Sequence, residues 1–351
     1  MELPEQVPGA ERSQFALLRT RRFLPFFLTQ FFGAFNDNLF RNALVVSITY
    51  GASAAAVNAG LIANVAQGLF ILPFFLFSAL VGQLADKFEK SRLIRQTRLA
   101  EVVLMLGAAA ALYSGHIPTL LGLIFLLGVL ATIFGPLKYS LMPQHLRESE
   151  LVGGNALVDA GTFLAILIGT ISGGLLIPTP APGSSAGSGG NTAAAVAMVV
   201  VAVGTYLCSR FIPRAEATDP GLKINYNPFT GTWQMLRFAA RNRAVMNSLL
   251  GISWFWLVGA LILAQLPAYS KDVLGGDKTV YTLLLAAFSI GTAMGSLACE
   301  RLSGHKVEIG LVPLGSIGLT VCLLNLYFSH PDAIAPGGAP LSWTAFLAAG
   351  G

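Results

Sequence analysis

A run of polar and charged side chains interrupts the first long apolar stretch of the chain. Residues 30–42, QFFGAFNDNLFRN, combine three asparagines, an aspartate and an arginine with phenylalanines. Gln30, Ala34, Asp37 and Arg41 have the i, i+4, i+7, i+11 spacing that places side chains on one face of a helix. A charge at the bilayer centre costs about 2.5–3.5 kcal/mol on insertion scales, so it normally faces a cavity or a partner. The spacing therefore predicts a transmembrane helix whose polar face points into the protein.

Two interpretations of this polar face are open. In the first, Asp37 and Arg41 neutralise each other as an i,i+4 pair that only packs the helix bundle. In the second, the face lies on the path of a substrate or a coupling ion. Under this second interpretation, Asn36, Asp37, Asn38 and Arg41 bind the transported molecule.

A second polar group is expected where the fourth and fifth spans meet the cytosol. Gly135-Pro136 is expected to kink or break the fourth span, and the freed backbone groups are tolerated only inside protein or beside a water-filled cavity. Lys138 and Tyr139 follow, and at 1.5 Å per residue Lys138 lies about 6 Å and Asp159 about 10 Å inside the cytosolic face. An ion pair between Lys138 and Asp159 is feasible, either as a structural contact or as part of a substrate site. Further candidate lining residues are Asn64, Gln67, Asn155 and Gln265.

The chain offers little for covalent or metal chemistry. No histidine has a second ligand at metal-binding spacing, and neither a Walker motif nor a nucleophile elbow occurs. The three cysteines lie singly in apolar segments, which is typical of small core residues. We therefore expect a protein that is not an enzyme and that uses neither a metal nor a cofactor. The four histidines, all predicted in loops, are His116, His145, His305 and His330.

Membrane helices must position these groups. The 351 residues are 54% hydrophobic and 11% charged, with a mean hydropathy of +0.67, whereas a soluble domain carries about 25% charged residues. The formal net charge of +5 is spread between apolar runs, so nucleic-acid binding is not expected. A span needs about 20 apolar residues. Nine complete spans are predicted near residues 23–50, 59–82, 93–114, 119–142, 152–177, 192–212, 244–270, 279–299 and 307–329.

The basic residues predict the orientation of the chain. With the amino terminus inside, all 22 lysines and arginines except Arg41, Lys271 and Lys278 fall on the cytosolic side, as the positive-inside rule requires. A missed span would invert every later loop and remove this bias. No cleavable signal peptide is visible in the first twenty residues. We expect a multi-pass protein of the bacterial inner membrane with a cytosolic amino terminus.

Six spans, a long loop and further spans predict two helical halves. A tenth apolar segment opens at Leu341 and reaches Gly351 after roughly eleven residues, too few to cross a bilayer, so the second half is expected to be incomplete. The predicted parts are a cytosolic segment 1–22, a six-helix bundle 23–212, a cytosolic central loop 213–243 and a truncated bundle 244–351.

Three shorter patterns have local interpretations. Residues 178–191, PTPAPGSSAGSGGN, are low in complexity and predict an external tether. Residues 233–243 mix apolar and basic side chains, which suits a short helix on the anionic inner leaflet. Gly169 and Gly173 form a small-xxx-small pattern, which predicts close helix packing.

Residues 82–92, GQLADKFEKSR, resemble the signature between the second and third helices of the major facilitator superfamily. Glu89 stands where that signature usually has glycine. The resemblance implies gating at the cytosolic ends of spans two and three. The residues to which it assigns this role are Gly82, Asp86, Lys87, Lys90 and Arg92.

A more specific resemblance rests on QFFGAFNDN (30–38), GPLKY (135–139), GNALVDA (154–160) and IGTISGG (168–174). Together these segments are similar to the bacterial lysophospholipid transporter family, including the transporter half of fusions with a glycerophosphoethanolamine acyltransferase. The resemblance implies an all-α major facilitator bundle of two six-helix halves, the second of them incomplete here.

The resemblance also implies a function. The chain would move lysophosphatidylethanolamine-like lipids from the outer to the inner leaflet of the inner membrane by alternating access. An acyltransferase or acyl-carrier-protein synthetase, as partner or fused domain, would then restore the second acyl chain. Asp37 would belong to the polar cavity, and Lys138 would attract the anionic phosphate. Lysophospholipid and membrane lipid are thus the expected partners.

Two other functions remain as alternatives. One is a proton-coupled exporter of small molecules, in which Asp37 is the protonation switch. The other is a membrane scaffold that transports nothing.

Overall fold

The computed structural model describes residues 14–50, 59–177, 191–304, 306, 308–328 and 341–348. Apart from an isolated β-bridge between Gly276 and Leu341, the regular structure of these residues is helical. The predictions for residues 1–13, for residues 178–190 of the tether and for His305 and His330 lie outside the described residues. The helices are α1 (Leu24–Tyr50), α2 (Ala59–Lys87), α3 (Lys90–Ser114), α4 (Ile117–His145), α5 (Leu151–Leu175), α6 (Thr192–Arg210), α7 (Pro228–Ala239), α8 (Arg243–Ala268), α9 (Lys278–Leu302), α10 (Leu311–Phe328) and α11 (Trp343–Ala348).

Within the described residues, eight helices are long and apolar enough to cross a membrane: α2 to α6 and α8 to α10. Helix α1 has 27 residues, which is long enough for a span at 1.5 Å per residue. It is not one of the eight because the polar side chains at residues 36–38 and 41–42 lower its apolar character. The sequence predicts nine spans, whereas eight of the described helices meet this apolar criterion. The difference is α1, the helix that carries the polar face.

Helices α1 and α5 approach each other closely because glycines lie at their contact. A Cβ atom built on Gly169 would overlap the carbonyl oxygen of Phe35, and one on Gly173 would overlap that of Leu39. At the same contact, Asn42 Nδ2 donates a hydrogen bond to the carbonyl oxygen of Thr170 at 2.5 Å. The small-xxx-small pattern of α5 is therefore confirmed as a packing surface.

The α2–α3 loop, the α4–α5 loop and the segment after α6 meet at one end of the bundle, which we call the basic end. Arg22, which precedes α1, donates to the carbonyl oxygen of His145 at 2.9 Å and pairs with Glu150 at 2.5 Å. Gln144 Nε2 donates to the carbonyl oxygen of Glu216 at 3.1 Å. When successive helices cross a membrane in alternating directions, every second connection lies on the same side. The connections after α2, α4 and α6 are therefore expected to meet at one end.

Residues 214–219, which we call the strap, cross the basic end and are held by Lys90. The Lys90 side chain is 0% exposed, and its Nζ donates to the carbonyl oxygen of Glu216 at 2.7 Å and to Thr218 Oγ1 at 2.9 Å. The backbone N–H of Asp219 donates to the carbonyl oxygen of Asp86 at 2.9 Å. A buried lysine is stable only when its donors are satisfied, so the strap and Lys90 stabilise each other.

Replacing Lys90 by methionine is expected to release the strap. The substitution keeps the apolar stem but removes the hydrogen bonds of the Lys90 ammonium group to Glu216 and Thr218, and a hydrogen bond from a charged group is worth about 1.5–3 kcal/mol. Trypsin should therefore cleave after Arg214 faster than in the parent protein, as followed by mass spectrometry. Arg92→Ala is the matched control because Arg92 is exposed, and equal cleavage rates in the two variants would contradict the anchoring role.

Candidate functional site

The α4–α5 pair, Lys138 and Asp159, is the first of two polar clusters in the first half. Lys138 Nζ lies 3.8 Å from Asp159 Oδ1, and the side chains are 13% and 44% exposed. The same Nζ lies 4.4 Å from the centroid of the Tyr139 ring. The predicted ion pair is thus present, and one partner remains accessible. An incoming anion could take the place of Asp159 beside the ammonium group.

Helix α4 runs unbroken from Ile117 to His145, with Pro136 and Pro143 inside it. Gly135-Pro136 therefore does not break this span, and the alternative that it kinks the span stays a prediction. A single missing backbone N–H is tolerated in a membrane helix when neighbouring helices and side chains accommodate the freed carbonyl group. Lys138 consequently projects from a continuous helix instead of a loop.

The second cluster, the α1–α3 network, is almost completely buried. Arg98 forms an ion pair with Glu101, and its guanidinium carbon lies 4.2 Å from the centroid of the Phe134 ring. Asn36 Nδ2 donates to Glu101 Oε1 at 3.3 Å. Arg98, Glu101 and Asn36 are 6%, 1% and 0% exposed. Asn36, a predicted substrate ligand, is thus a contact between α1 and α3 in this conformation.

Arg41 directs its hydrogen bonds to amides. Its Nη1 donates to Gln67 Oε1 at 3.2 Å, and its Nη2 donates to Asn38 Oδ1. The guanidinium carbon also lies 4.4 Å from the centroid of the Phe70 ring. Asp37 and Arg41 nevertheless interact electrostatically, so the interpretation of the two as an i,i+4 pair that neutralises itself stays open. Asp37 is half-buried, and Arg98 and Glu101 of the α1–α3 network act on it electrostatically as well.

A hydrogen bond between α1 and α5 joins the polar face of α1 to the α4–α5 pair. Gln30 Nε2 donates to Thr162 Oγ1 at 2.9 Å, and Thr162 follows Asp159 by three residues on α5. One turn before Asp159, the Asn155 Oδ1 atom is buried without a hydrogen-bond partner. Thr162 is a residue that the sequence reasoning missed. Its position three residues after Asp159, on the same face of the helix, could have indicated it.

Several predicted residues lie apart from these two clusters. Asn64 on α2 and Gln265 on α8 are exposed, and neither takes part in the hydrogen bonds described above. Of the predicted gating residues, Lys90 is the buried anchor of the strap. The others have different exposures: Gly82, Asp86 and Lys87 are half-buried, and Arg92 is exposed.

The two halves contact each other at the basic end. Gln14, in the 3-10 helix Gln14–Arg19 that precedes α1, donates through Nε2 to the carbonyl oxygen of Leu297 on α9 at 3.0 Å. Gly153 on α5 has no Cβ atom, and the Glu300 carboxylate occupies that space. Gln14 and Glu300 are each 5% exposed. The structure is therefore closed between α5 and α9 at this end.

Comparisons with known proteins agree with a transporter fold. The family model described as transmembrane secretion effector matches residues 12–345. Lysophospholipid transporter LplT of Enterobacter sp. (strain 638) is 29% identical over 273 residues, which are 77% of this chain and 64% of that protein. LplT of Escherichia coli (strain SE11) is 30% identical over 314 residues, 85% of this chain and 71% of that protein. LplT of Escherichia coli O1:K1 / APEC is 30% identical over 270 residues, which are 74% of this chain and 62% of that protein. The chain thus spans 62% to 71% of the length of these relatives.

Replacing Gly33 by alanine is expected to disturb the α1–α3 network. A Cβ atom at this position would overlap the Arg98 guanidinium, and overpacking of this kind typically costs about 1–3 kcal/mol. A lowered thermal unfolding midpoint in detergent would report the loss. Gly68→Ala on α2 is the matched control, because a Cβ there meets nothing within 4 Å. An unchanged midpoint in Gly33→Ala would mean that Arg98 does not need this space.

Proposed function

We propose a lipid-transport function for this chain, which belongs to the major facilitator superfamily and, within it, to the lysophospholipid transporter family. The substrate is a lysophospholipid with a headgroup like that of phosphatidylethanolamine. The observation that carries the proposal is the α4–α5 pair, a lysine and an aspartate on membrane helices, with the aspartate 44% exposed. Charges at such positions mark substrate or ion pathways in membrane proteins.

The chemistry of the headgroup fits the two polar clusters. A phosphate is anionic, and a lysine ammonium group binds it as a point charge, so Lys138 binds the phosphate. An ethanolamine ammonium group is a cation and needs a carboxylate, which Asp159 or Asp37 supplies. Asn155 lies one turn from Asp159 with a buried amide oxygen that lacks a partner, and this oxygen is available to the same ammonium group. The single acyl chain lies against apolar helix surfaces.

Transport proceeds by alternating access between the two halves. The contact of Gln14 and α5 with α9 closes the basic end, and it must open for a substrate to leave there. We place the basic end in the cytosol of a bacterium, in its inner membrane, because the positive-inside rule favours this orientation. Transport then runs from the outer to the inner leaflet. An acyltransferase or acyl-carrier-protein synthetase, as a partner or as a fused domain, receives the product.

Substitution of the proposed headgroup ligands is expected to slow lipid movement. In proteoliposomes with fluorescent lysophosphatidylethanolamine, Lys138→Ala and Asp37→Ala in the full-length protein should each reduce the rate. Loss of a charged hydrogen bond is worth about 1.5–3 kcal/mol, roughly a tenfold to hundredfold change in apparent affinity. Arg210→Ala is the matched control, since Arg210 is exposed at the end of α6.

The alternatives give different results in the same vesicles. An immobile lipid together with drug uptake driven by a pH gradient would indicate a proton-coupled exporter. Absence of movement of any solute by the full-length protein would indicate a scaffold. Either result would overturn the lipid-transport proposal.

Locking the two halves together at the basic end is expected to stop transport. Gln14→Cys and Leu297→Cys, in a protein whose Cys208, Cys299 and Cys322 are replaced by serine, would be joined by a reducible bifunctional thiol reagent. Transport should fall to the background of empty vesicles after cross-linking and return after reduction. Each single-cysteine protein is the control. Full transport by the cross-linked protein would contradict alternating access at this contact.

A further inference from the structure

Helix α7 begins with strong local signals. Asn227 Oδ1 accepts hydrogen bonds from the backbone N–H groups of Phe229 at 3.0 Å and Thr230 at 3.2 Å, and Pro228 occupies the first helical position. Both features stabilise a helix amino terminus. The twelve residues of α7 therefore form a defined element within the connection between the two halves.

One side of α7 packs on the last turns of α2. Gly231 is buried, and a Cβ there would lie 3.5 Å from both Ala79 Cβ and Gln83 Nε2. One turn further along, Met235 Cε lies 3.5 Å from the position of a Cβ on Gly82. Since α2 is one of the apolar helices that can cross a membrane, this contact holds α7 at the level where the α2 span ends, at the basic end.

The other side of α7 carries exposed apolar side chains. Phe229, Trp233 and Leu236 are 69%, 68% and 46% exposed. At 3.6 residues per turn, these three positions fall within about 60° of one another. Arg237 lies about 40° further round the helix and is exposed. The helix thus presents an apolar stripe with a basic flank.

The charged residues of α7 and of the sequence on either side of it are all basic. The sequence contains no acidic residue between Asp219 and Asp272. Arg241 and Arg243 follow the helix directly, and both are exposed. A helix that is apolar on one face and basic beside it, in a segment without acidic residues, is complementary to a bilayer with anionic headgroups.

We propose that α7 is a binding surface for anionic phospholipid of the leaflet at the basic end. The side chains of Phe229, Trp233 and Leu236 enter the boundary between headgroups and acyl chains. The guanidinium groups of Arg237, Arg241 and Arg243 bind lipid phosphates. The occupant is membrane lipid because α7 is packed along a membrane-spanning helix at the level of the headgroups. This binding surface is separate from the α4–α5 pair and does not depend on the transported substrate.

Fluorescence quenching in lipid vesicles tests the proposal. Replacing Trp254, Trp256 and Trp343 by phenylalanine leaves Trp233 as the single tryptophan of the chain. Phospholipids with brominated acyl chains quench only a tryptophan that they contact. Brominated phosphatidylglycerol, which is anionic, should quench Trp233 more strongly than brominated phosphatidylcholine at the same mole fraction.

The arginines should account for this preference. Replacing Arg237, Arg241 and Arg243 by glutamine should make quenching by the two lipids equal, while Lys223→Gln is the matched control and should keep the preference. An unquenched Trp233 would overturn the proposal, as would equal quenching by the two lipids before any arginine is replaced. A preference that persists in the triple variant would overturn the assignment of these arginines. Because the first comparison needs no variant of α7, it does not depend on whether the triple variant folds.

Discussion

The first half of this molecule depends on one constraint: a charge surrounded by hydrocarbon must find its partner inside the protein. Arg98 meets this constraint on α3 with Glu101 and on α4 with the ring of Phe134. Asn36 connects the same carboxylate to α1. Three helices are therefore tied together by groups that would be costly to expose to lipid. The polar character that removes α1 from the set of apolar spans is what holds α1 in the bundle.

Close helix packing supplies the geometry that these polar contacts need. Gly33 leaves the space that the Arg98 guanidinium fills, and Gly169 and Gly173 let α5 approach the backbone of α1. At this separation short amide side chains reach across, as Gln30 does to Thr162 and Asn42 does to Thr170. Larger residues at the glycine positions would separate the helices and leave these amides without partners.

Features set by local pattern could be predicted from the sequence. The lengths of the apolar segments predicted the membrane helices. The depths of Lys138 in α4 and of Asp159 in α5 predicted that the two could pair. Both predictions follow from the fixed rise per residue of a helix. Features set by distant partners could not be predicted. The strap that buries Lys90 contributes acceptors more than 120 residues away, and motif spacing alone does not indicate them. Whether Gly135-Pro136 breaks α4 or only kinks it was left open for a similar reason, since neighbouring helices decide whether a proline interrupts a span.

Helix α5 carries three contacts of different kinds along one continuous rod. Gly153 touches the second half at Glu300, Asp159 pairs with Lys138, and Gly169 locks against α1. The first two lie six residues apart, or about 9 Å along the axis, with regular helix between them. A rod of this length bends little, so a displacement of its polar middle also displaces its end at the seam between the halves. Helix α5 thus couples the proposed headgroup site at Asp159 mechanically to the contact between the two halves at Gly153.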